Sequence, residues 1–387
     1  MKIVIDTNIF YNNWFLDSLN FKLLKSFLHK TNASLFVPKI VFEEVINKYK
    51  EGLKKCVAEY HKILKNLNRY LFFVKTLEIE TIEIETISHE YSKFLQNKLK
   101  DFNVKIINYK DIPHEDIVQR ELQRKAPYEY RDILIWETIL RKVISLDDKT
   151  ILITDDDDFK KEELLNEIKT KFLTDSPEKY FEIFNSLKKF VNEYVKPTLE
   201  KLEKIKKQIQ ENTYRLFSVQ EWIENNKDKI IEVLKEKFEF IKHKKPFSSY
   251  QIDYIEISDI IDVIEFKVLD VYQIENKKIL VDLNLILEVE LDLFIFKPGA
   301  YWILDDEISW ISISNFDWNE HYALGHAYVS LPVSLSIIIN TEKGKIESYQ
   351  ADLVEFYGFC PKCGSPVLSS AAESCYQCGK KFFLNKF

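Results

Sequence analysis

At 387 residues the chain exceeds the usual size of one domain, so two to four domains are expected. Nearly half of it is hydrophobic (46%), while Gly (7), Pro (10) and Met (1) are scarce, which excludes a disordered or low-complexity protein. The net charge of -7 excludes a globally basic binder, so a nucleic-acid partner would have to meet a local basic surface.

The apolar run KIVID begins at Lys2, so no amino-terminal signal peptide is expected. ASLFVP and TILIT repeat the strand pattern with helical stretches between them. Such alternation predicts a parallel sheet with helices on both faces. A long helix is predicted from about Ile40 to Phe72, followed by a less regular helical insertion at about 75–128. DSPEKYFEIF reads as a helix start with Pro at the first helical position, which makes the preceding KFLTD, Lys171 to Asp175, the last strand. Residues 188–250 read as a charged helical linker. Its lysines form either a solvated face or contacts to phosphate.

The hydrophobic period then changes. From Val281 to Ile295 every odd residue is apolar, and HAYVSLPVSLSIIIN repeats the alternation. This predicts an antiparallel β domain at about 251–355, as a small sandwich or a curved sheet. The strongest apolar run, Ile279 to Phe296, is interrupted by Asp282, Glu288, Glu290 and Asp292, so no membrane span is expected and the protein is expected in the cytosol. Residues 356–387 contain CPKCG and CYQCG. Two C-x-x-C pairs, Cys360 with Cys363 and Cys375 with Cys378, each followed by Gly, fit a structural four-thiolate zinc ribbon, with iron as the competing metal. The fifth cysteine, Cys56, stands alone on an amphipathic stretch and is expected to pack.

A set of acids recurs in one local setting. Asp6 ends the first strand, Glu44 lies one turn into the helix after the second, Asp132 opens a helix, and Asp155 to Asp158 follow TILIT. Singly, each has an ordinary use as a turn cap, an exposed helix residue, a partner of the helix dipole or a solvated turn. Jointly they lie where an open parallel sheet binds ligands, outside the carboxyl ends of its strands. Converging carboxylates raise one another's pKa unless a cation neutralises them, and Mg(II) or Mn(II) suits oxygen ligands. Arg120, Arg124, Lys125 and Arg131 precede or adjoin Asp132. They form either a salt-bridged surface or a set of contacts for substrate phosphates.

KIVIDTN, the Pro-containing strand before VFEEV, YRDILIWETIL and ILITDDDDF resemble, in that order, the motifs of PIN-domain nucleases over about the first 180 residues. The RDILIW and LITDDDDF pair is similar to the subgroup with a long helical insertion before the third acid. The resemblance implies a metal-dependent phosphodiesterase, most often an endoribonuclease, that leaves a 5′-phosphate and a 3′-hydroxyl. It implies Asp6, Glu44, Asp132 and Asp156 as Mg or Mn ligands, with Glu43 as the alternative to Glu44 and Asp158 as the last acid. Asp155 stands where Asn is usual, so the choice within that run stays open. Asn8 and Thr154 match polar residues that orient ligands or substrate.

The expected architecture is therefore α/β. A PIN-like parallel sheet flanked by helices (1–187) is followed by a helical linker (188–250), an antiparallel β domain (251–355) and a zinc ribbon (356–387). The expected activity is hydrolysis of single-stranded RNA. A DNA- or flap-directed nuclease and a binding scaffold for nucleic acid or a partner are the alternatives. RNA is the expected partner ahead of DNA, and the β domain or ribbon could meet a protein. A toxin or phage-defence role suits a free-standing nuclease with such appendages.

Overall fold

The computed structural model describes residues 1–387 except 12, 72–76, 78–80, 236, 276, 306–307, 371 and 383–387. The chain divides into two compact units, Met1–Glu200 and Lys201–Phe387.

The first unit is built on five parallel strands: β1 (Lys2–Ile5), β2 (Ser34–Pro38), β3 (Lys105–Ile107), β4 (Thr150–Ile153) and β5 (Phe181–Phe184). Their order is β3-β2-β1-β4-β5. The chain leaves β1 toward one edge and later returns on the other side of it, which makes β1 and β4 the topological switch point. Apart from Lys2, the residues of β1 and β4 are buried, as central strands covered on both faces require. Among the described residues, the sheet is accompanied by helices α1 (Leu19–Lys30), α2 (Lys39–Tyr70), α3 (Ile84–Asp101), α4 (His114–Leu122), α5 (Tyr130–Lys142) and α6 (Glu162–Phe172). Phe21, Leu24, Val41, Leu95, Trp136, Ile139 and Ile168 bring α1, α2, α3, α5 and α6 into one core with the strands, while Ile117 of α4 packs with Ile133 and Leu134 in a smaller cluster.

The long helix is present as α2, and Phe72, its expected end, lies outside the described residues, as do parts of 75–80 at the start of the expected insertion. Within that insertion α3 and α4 form, and between them β3 joins the sheet at its edge. Cys56 is exposed rather than packed, because α2 buries little of its second half beyond Val57.

The last strand differs from the expectation. Lys171 and Phe172 end helix α6, Leu173 takes a left-handed conformation there, and Pro177 opens a 3-10 turn. Phe181–Phe184 is the strand, paired with β4 residue for residue. The sequence places Pro177 at a helical first position correctly, but the turn lasts one cycle, and the apolar FEIF after it finds an open sheet edge.

Short α7 (Leu187–Phe190) follows, and α8 (Lys196–Gln210) carries the chain across the boundary. The second unit holds α9 (Val219–Glu224), α10 (Lys227–Lys235), α11 (Phe238–Lys242) and an antiparallel sheet of β6 (Ile252–Glu275), β7 (Lys278–Phe296), β8 (Ile311–Asn315), β9 (Tyr322–Asn340) and β10 (Lys345–Leu353). The order is β10-β9-β7-β6, with β8 also on β9; helix α12 (Lys297–Asp305) follows β7. The Val281 to Ile295 alternation is one strand with its odd residues buried. Residues 201–250, expected as a linker, bury Leu202, Ile209, Ile223, Ile230, Leu234 and Ile241 in the same core as the sheet. Helices thus supply the apolar cover that a second sheet would give in a sandwich.

The ribbon adds β11 (Gly358–Phe359) and β12 (Pro366–Val367) and is seated on this unit. Phe359 packs edge-on to Phe247 and Phe356, and Trp310 donates its indole N–H to the Pro361 carbonyl at 3.2 Å.

Candidate functional site

In the β1–β4 pairing Ile5 lies opposite Ile153, so Asp6 and Thr154 emerge side by side at the carboxyl ends of the two central strands. The Asp6 carboxylate is only 5% exposed and is held by three donors. Oδ1 accepts from the Thr7 N–H at 2.6 Å; Oδ2 accepts from the Asn8 amide at 3.0 Å and the Thr154 hydroxyl at 2.7 Å. Thr154 Oγ1 in turn accepts from Asn8 at 3.1 Å and from the Asp156 N–H at 3.0 Å. Asn8 Oδ1 accepts from the Asp155 N–H at 3.3 Å. Asn8 and Thr154 therefore lash the two strand ends together around one carboxylate.

The remaining acids come from three other elements. Glu44, in the second turn of α2, accepts from the Thr7 hydroxyl at 2.9 Å and pairs with Arg131. Glu43 lies about 100° around the helix and is spent elsewhere, on the Tyr109 hydroxyl at 2.9 Å and on Lys39 at 3.4 Å. Asp132 stands in the first turn of α5. Within the acidic run, Asp155 is exposed and Asp157 is paired with Lys160 at 2.6 Å. Asp156 accepts from the Asp158 N–H at 2.8 Å and so caps the following turn, which the fully buried Phe159 pins to the core.

Charge shows which acids share a site. Burial, opposed by the hydrogen bonds from Thr154 and Thr7 and reinforced by Glu44 and Asp156, pushes the Asp6 pKa up to about 6. Burial also pushes Asp132 up to about 7, helped by the charges of Asp6, Asp156, Glu129 and Glu44. Asp6, Glu44, Asp132 and Asp156 are thus near enough to act on one another's charge, although among the described residues only the four cysteines draw their ligand atoms into a group that could hold a metal. Asp158 is not among the principal charges acting on either raised group, and it enters the arrangement through its backbone N–H.

Residues 3–159 match the PIN-domain family. The matched span runs from the strand before Asp6 to Phe159, so it contains every acid just described. PIN domains are generally metal-dependent nucleases, so the match suggests a nuclease, commonly one that uses a divalent metal. No curated protein and no solved structure matches the chain. Among the described residues, no helix is long and apolar enough to cross a membrane.

The basic residues of the PIN-like domain separate into three kinds. Arg120, expected to meet substrate phosphate, is instead 7% exposed and consumed internally. Its guanidinium donates to the Ala126 carbonyl, to Glu137 at 3.1 Å and to both Glu167 oxygens at 2.8 Å. A buried arginine must be paired in this way, and most of its donors are committed within the protein. Arg124 and Lys125 are exposed and line an open cavity of about 900 Å³ with Arg141 and Lys171; none of the four clustered carboxylates lines it. Arg131 alone of the four candidates contacts the carboxylate site.

Two neighbours escaped the sequence reading. Thr7 bridges Asp6 and Glu44 through its N–H and its hydroxyl. The Tyr11 phenol, partly exposed, has its pKa raised by burial first and then by the charges of Glu44 and Asp6, so it borders the site. The available signal was their position in IDTNIFY, directly after Asp6.

A second cluster lies in the ribbon. The ligand atoms of Cys360, Cys363, Cys375 and Cys378 all lie within 4.8 Å of one another. Cys360 and Cys378 sulfurs are 3.7 Å apart, and those of Cys363 and Cys375 are 3.6 Å apart. A tetrahedron with zinc–sulfur bonds of about 2.3 Å has edges of about 3.8 Å, whereas a disulfide needs about 2.05 Å. The four thiols could therefore hold zinc. Each loop turns in the same way. The Gly364 and Gly379 N–H groups return to the Cys360 and Cys375 carbonyls, and both glycines have positive φ (70° and 69°), where a Cβ would be strained.

Proposed function

We propose that the protein is a metal-dependent endonuclease that hydrolyses single-stranded RNA at the site formed by Asp6, Glu44, Asp132 and Asp156, with Asp158 assisting. The observation that carries this reading is the buried Asp6 carboxylate, which Thr7 bridges to Glu44 and Thr154 to the Asp156 turn, with burial and neighbouring charge pushing both Asp6 and Asp132 upward. Such an oxygen-only, electron-rich set suits Mg(II) or Mn(II). When bound, the cation supplies Lewis acidity that polarises a phosphoryl oxygen and acidifies water. The chain's own part is to position and to move a proton. Asn8 and Thr154 fix the Asp6 carboxylate, the Asp158 N–H fixes Asp156, and one of the clustered carboxylates accepts the proton of the attacking water. In-line attack then leaves a 5′-phosphate and a 3′-hydroxyl. We assign this role to residues 1–187, and a zinc-held ribbon with the β domain to bringing substrate or partner.

The test is cleavage of labelled single-stranded RNA and matched DNA with Mg(II) or Mn(II), beside an Asp6→Asn, Asp156→Asn double variant. RNA cleavage by the wild type and none by the variant supports the reading. Preference for DNA or flapped substrates moves it to a DNA-directed nuclease. Binding without cleavage of any substrate leaves a scaffold.

A further inference from the structure

The ion pair between Arg131 and Glu44 lies within the carboxylate site, on one of its four acids. Both Glu44 oxygens have a donor: the Arg131 guanidinium on Oε1 and the Thr7 hydroxyl on Oε2 at 2.9 Å. Each oxygen keeps a second lone pair, so lone-pair count does not bar a further ligand. Charge does, because a guanidinium in contact with the carboxylate repels a divalent ion brought to the same group.

The two donors differ in freedom. Thr7 is buried, at 4% exposure, whereas the Arg131 side chain is 45% exposed. Arg131 also has a second partner at hand. Its other terminal nitrogen reaches Glu129 at 3.4 Å, and Glu129 is 68% exposed. The guanidinium can therefore leave Glu44 without losing a carboxylate.

Resting on the divalent-metal reading of this site, we propose that Arg131 is an exchangeable internal counter-cation. It neutralises Glu44 while no divalent ion is bound and yields Glu44 to that ion by moving toward Glu129. There its planar fork meets a phosphate of the nucleic-acid strand. The adjacency of Arg131 to Asp132 keeps this motion at the mouth of the site. Arg131 is thus a positioning residue that couples metal entry to strand binding.

The experiment is a calorimetric titration of Mn(II) into the zinc-loaded full-length chain. Wild type is compared with Arg131→Ala, Arg131→Lys and Asp156→Asn, with melting curves as the folding control. KM on a labelled single strand follows. Removing the counter-cation removes its competition, so Arg131→Ala should bind Mn(II) about fivefold tighter, the scale of a partly exposed ion pair, while KM rises severalfold. Arg131→Lys keeps the competing charge and should bind Mn(II) as the wild type does, with KM raised by loss of the fork. Equal or weaker Mn(II) binding by Arg131→Ala overturns the exchange, since Arg131 would then only hold Glu44 in place. Mn(II) binding unaffected by Asp156→Asn would instead remove the carboxylate metal site itself, and the exchange with it.

Discussion

The two candidate metal sites are built in opposite ways. The cysteine site is local. Four sulfurs come from Cys360 to Cys378, two turns of the same design set them at tetrahedral edges, and each turn is closed by a glycine. The carboxylate site is global. The members we propose, Asp6, Glu44, Asp132 and Asp156, come from four elements far apart in the chain. We expect the local site to depend on a bound metal for its fold. The global site is paid for by the surrounding core, and its acids are held in mutual repulsion. Removing a ligand should therefore harm the first site's fold and relieve the second's.

The largest expected effect lies in the ribbon. Cys378→Ser should lose zinc, measured by elemental mass spectrometry, and leave residues 356–382 open to limited proteolysis, because structural zinc contributes on the order of 10 kcal/mol. A protease-resistant, zinc-free variant would break the comparison, since the aromatic seat would then hold the ribbon unaided. Trp310→Ala tests that seat directly. Trp310 is 8% exposed and touches Phe247, Phe359 and the Pro361 carbonyl, so its loss should cost about 3–5 kcal/mol in denaturant melts of the second unit while zinc stays bound.

The carboxylate site should reveal itself through pH. The Asp6 pKa is raised from 3.8 to about 6 and that of Asp132 to about 7. Between those values and the unfolded pKa the native state binds more protons than the unfolded chain. Stability of the divalent-free protein should therefore be fullest below about pH 4 with respect to these groups and fall as pH rises to about 7. Asp6 accounts for about 3 kcal/mol of that fall, and the part-exposed Asp132 for less than its shift suggests because solvent screens it. Melting in chelator-free, cation-depleted buffer, where zinc is retained, measures the slope, and saturating Mn(II) should flatten it. A rising or flat profile in the absence of Mn(II) would show that burial and neighbouring charge together do not raise these two acids.

The smallest effect sharpens the same point. Asp132→Asn removes one charge from the crowd and should raise the divalent-free melting temperature of the first unit by about 2–4 °C. Mn(II) should no longer raise it further. A lowered melting temperature would show that Asp132 is stabilising as a charge, as each cysteine is expected to be as a ligand.

The sequence by itself determined what depends on neighbours in the chain. The KIVID, ASLFVP and TILIT strands, the alternating β7 and the paired C-x-x-C turns are patterns of period or spacing, and local sterics and burial enforce them. The acids proposed for the site were picked out in the same way, as carboxylates at strand ends and helix starts. What only the tertiary structure decided is how each side chain is used. Glu43 and Glu44 are adjacent in sequence, but the helix turns one to Tyr109 and the other to Thr7 and Arg131. Arg120, Arg124, Lys125 and Arg131 read alike as a basic run. Burial commits Arg120 to Glu137 and Glu167, while Arg131 reaches the acids. The charged helices after Lys201 read as a linker until the sheet's apolar face gave them a layer to cover. A side chain's type is written in the sequence, but its partner is set by long-range packing, and the cost of burying an unpaired charge selects among partners only once the chain has folded.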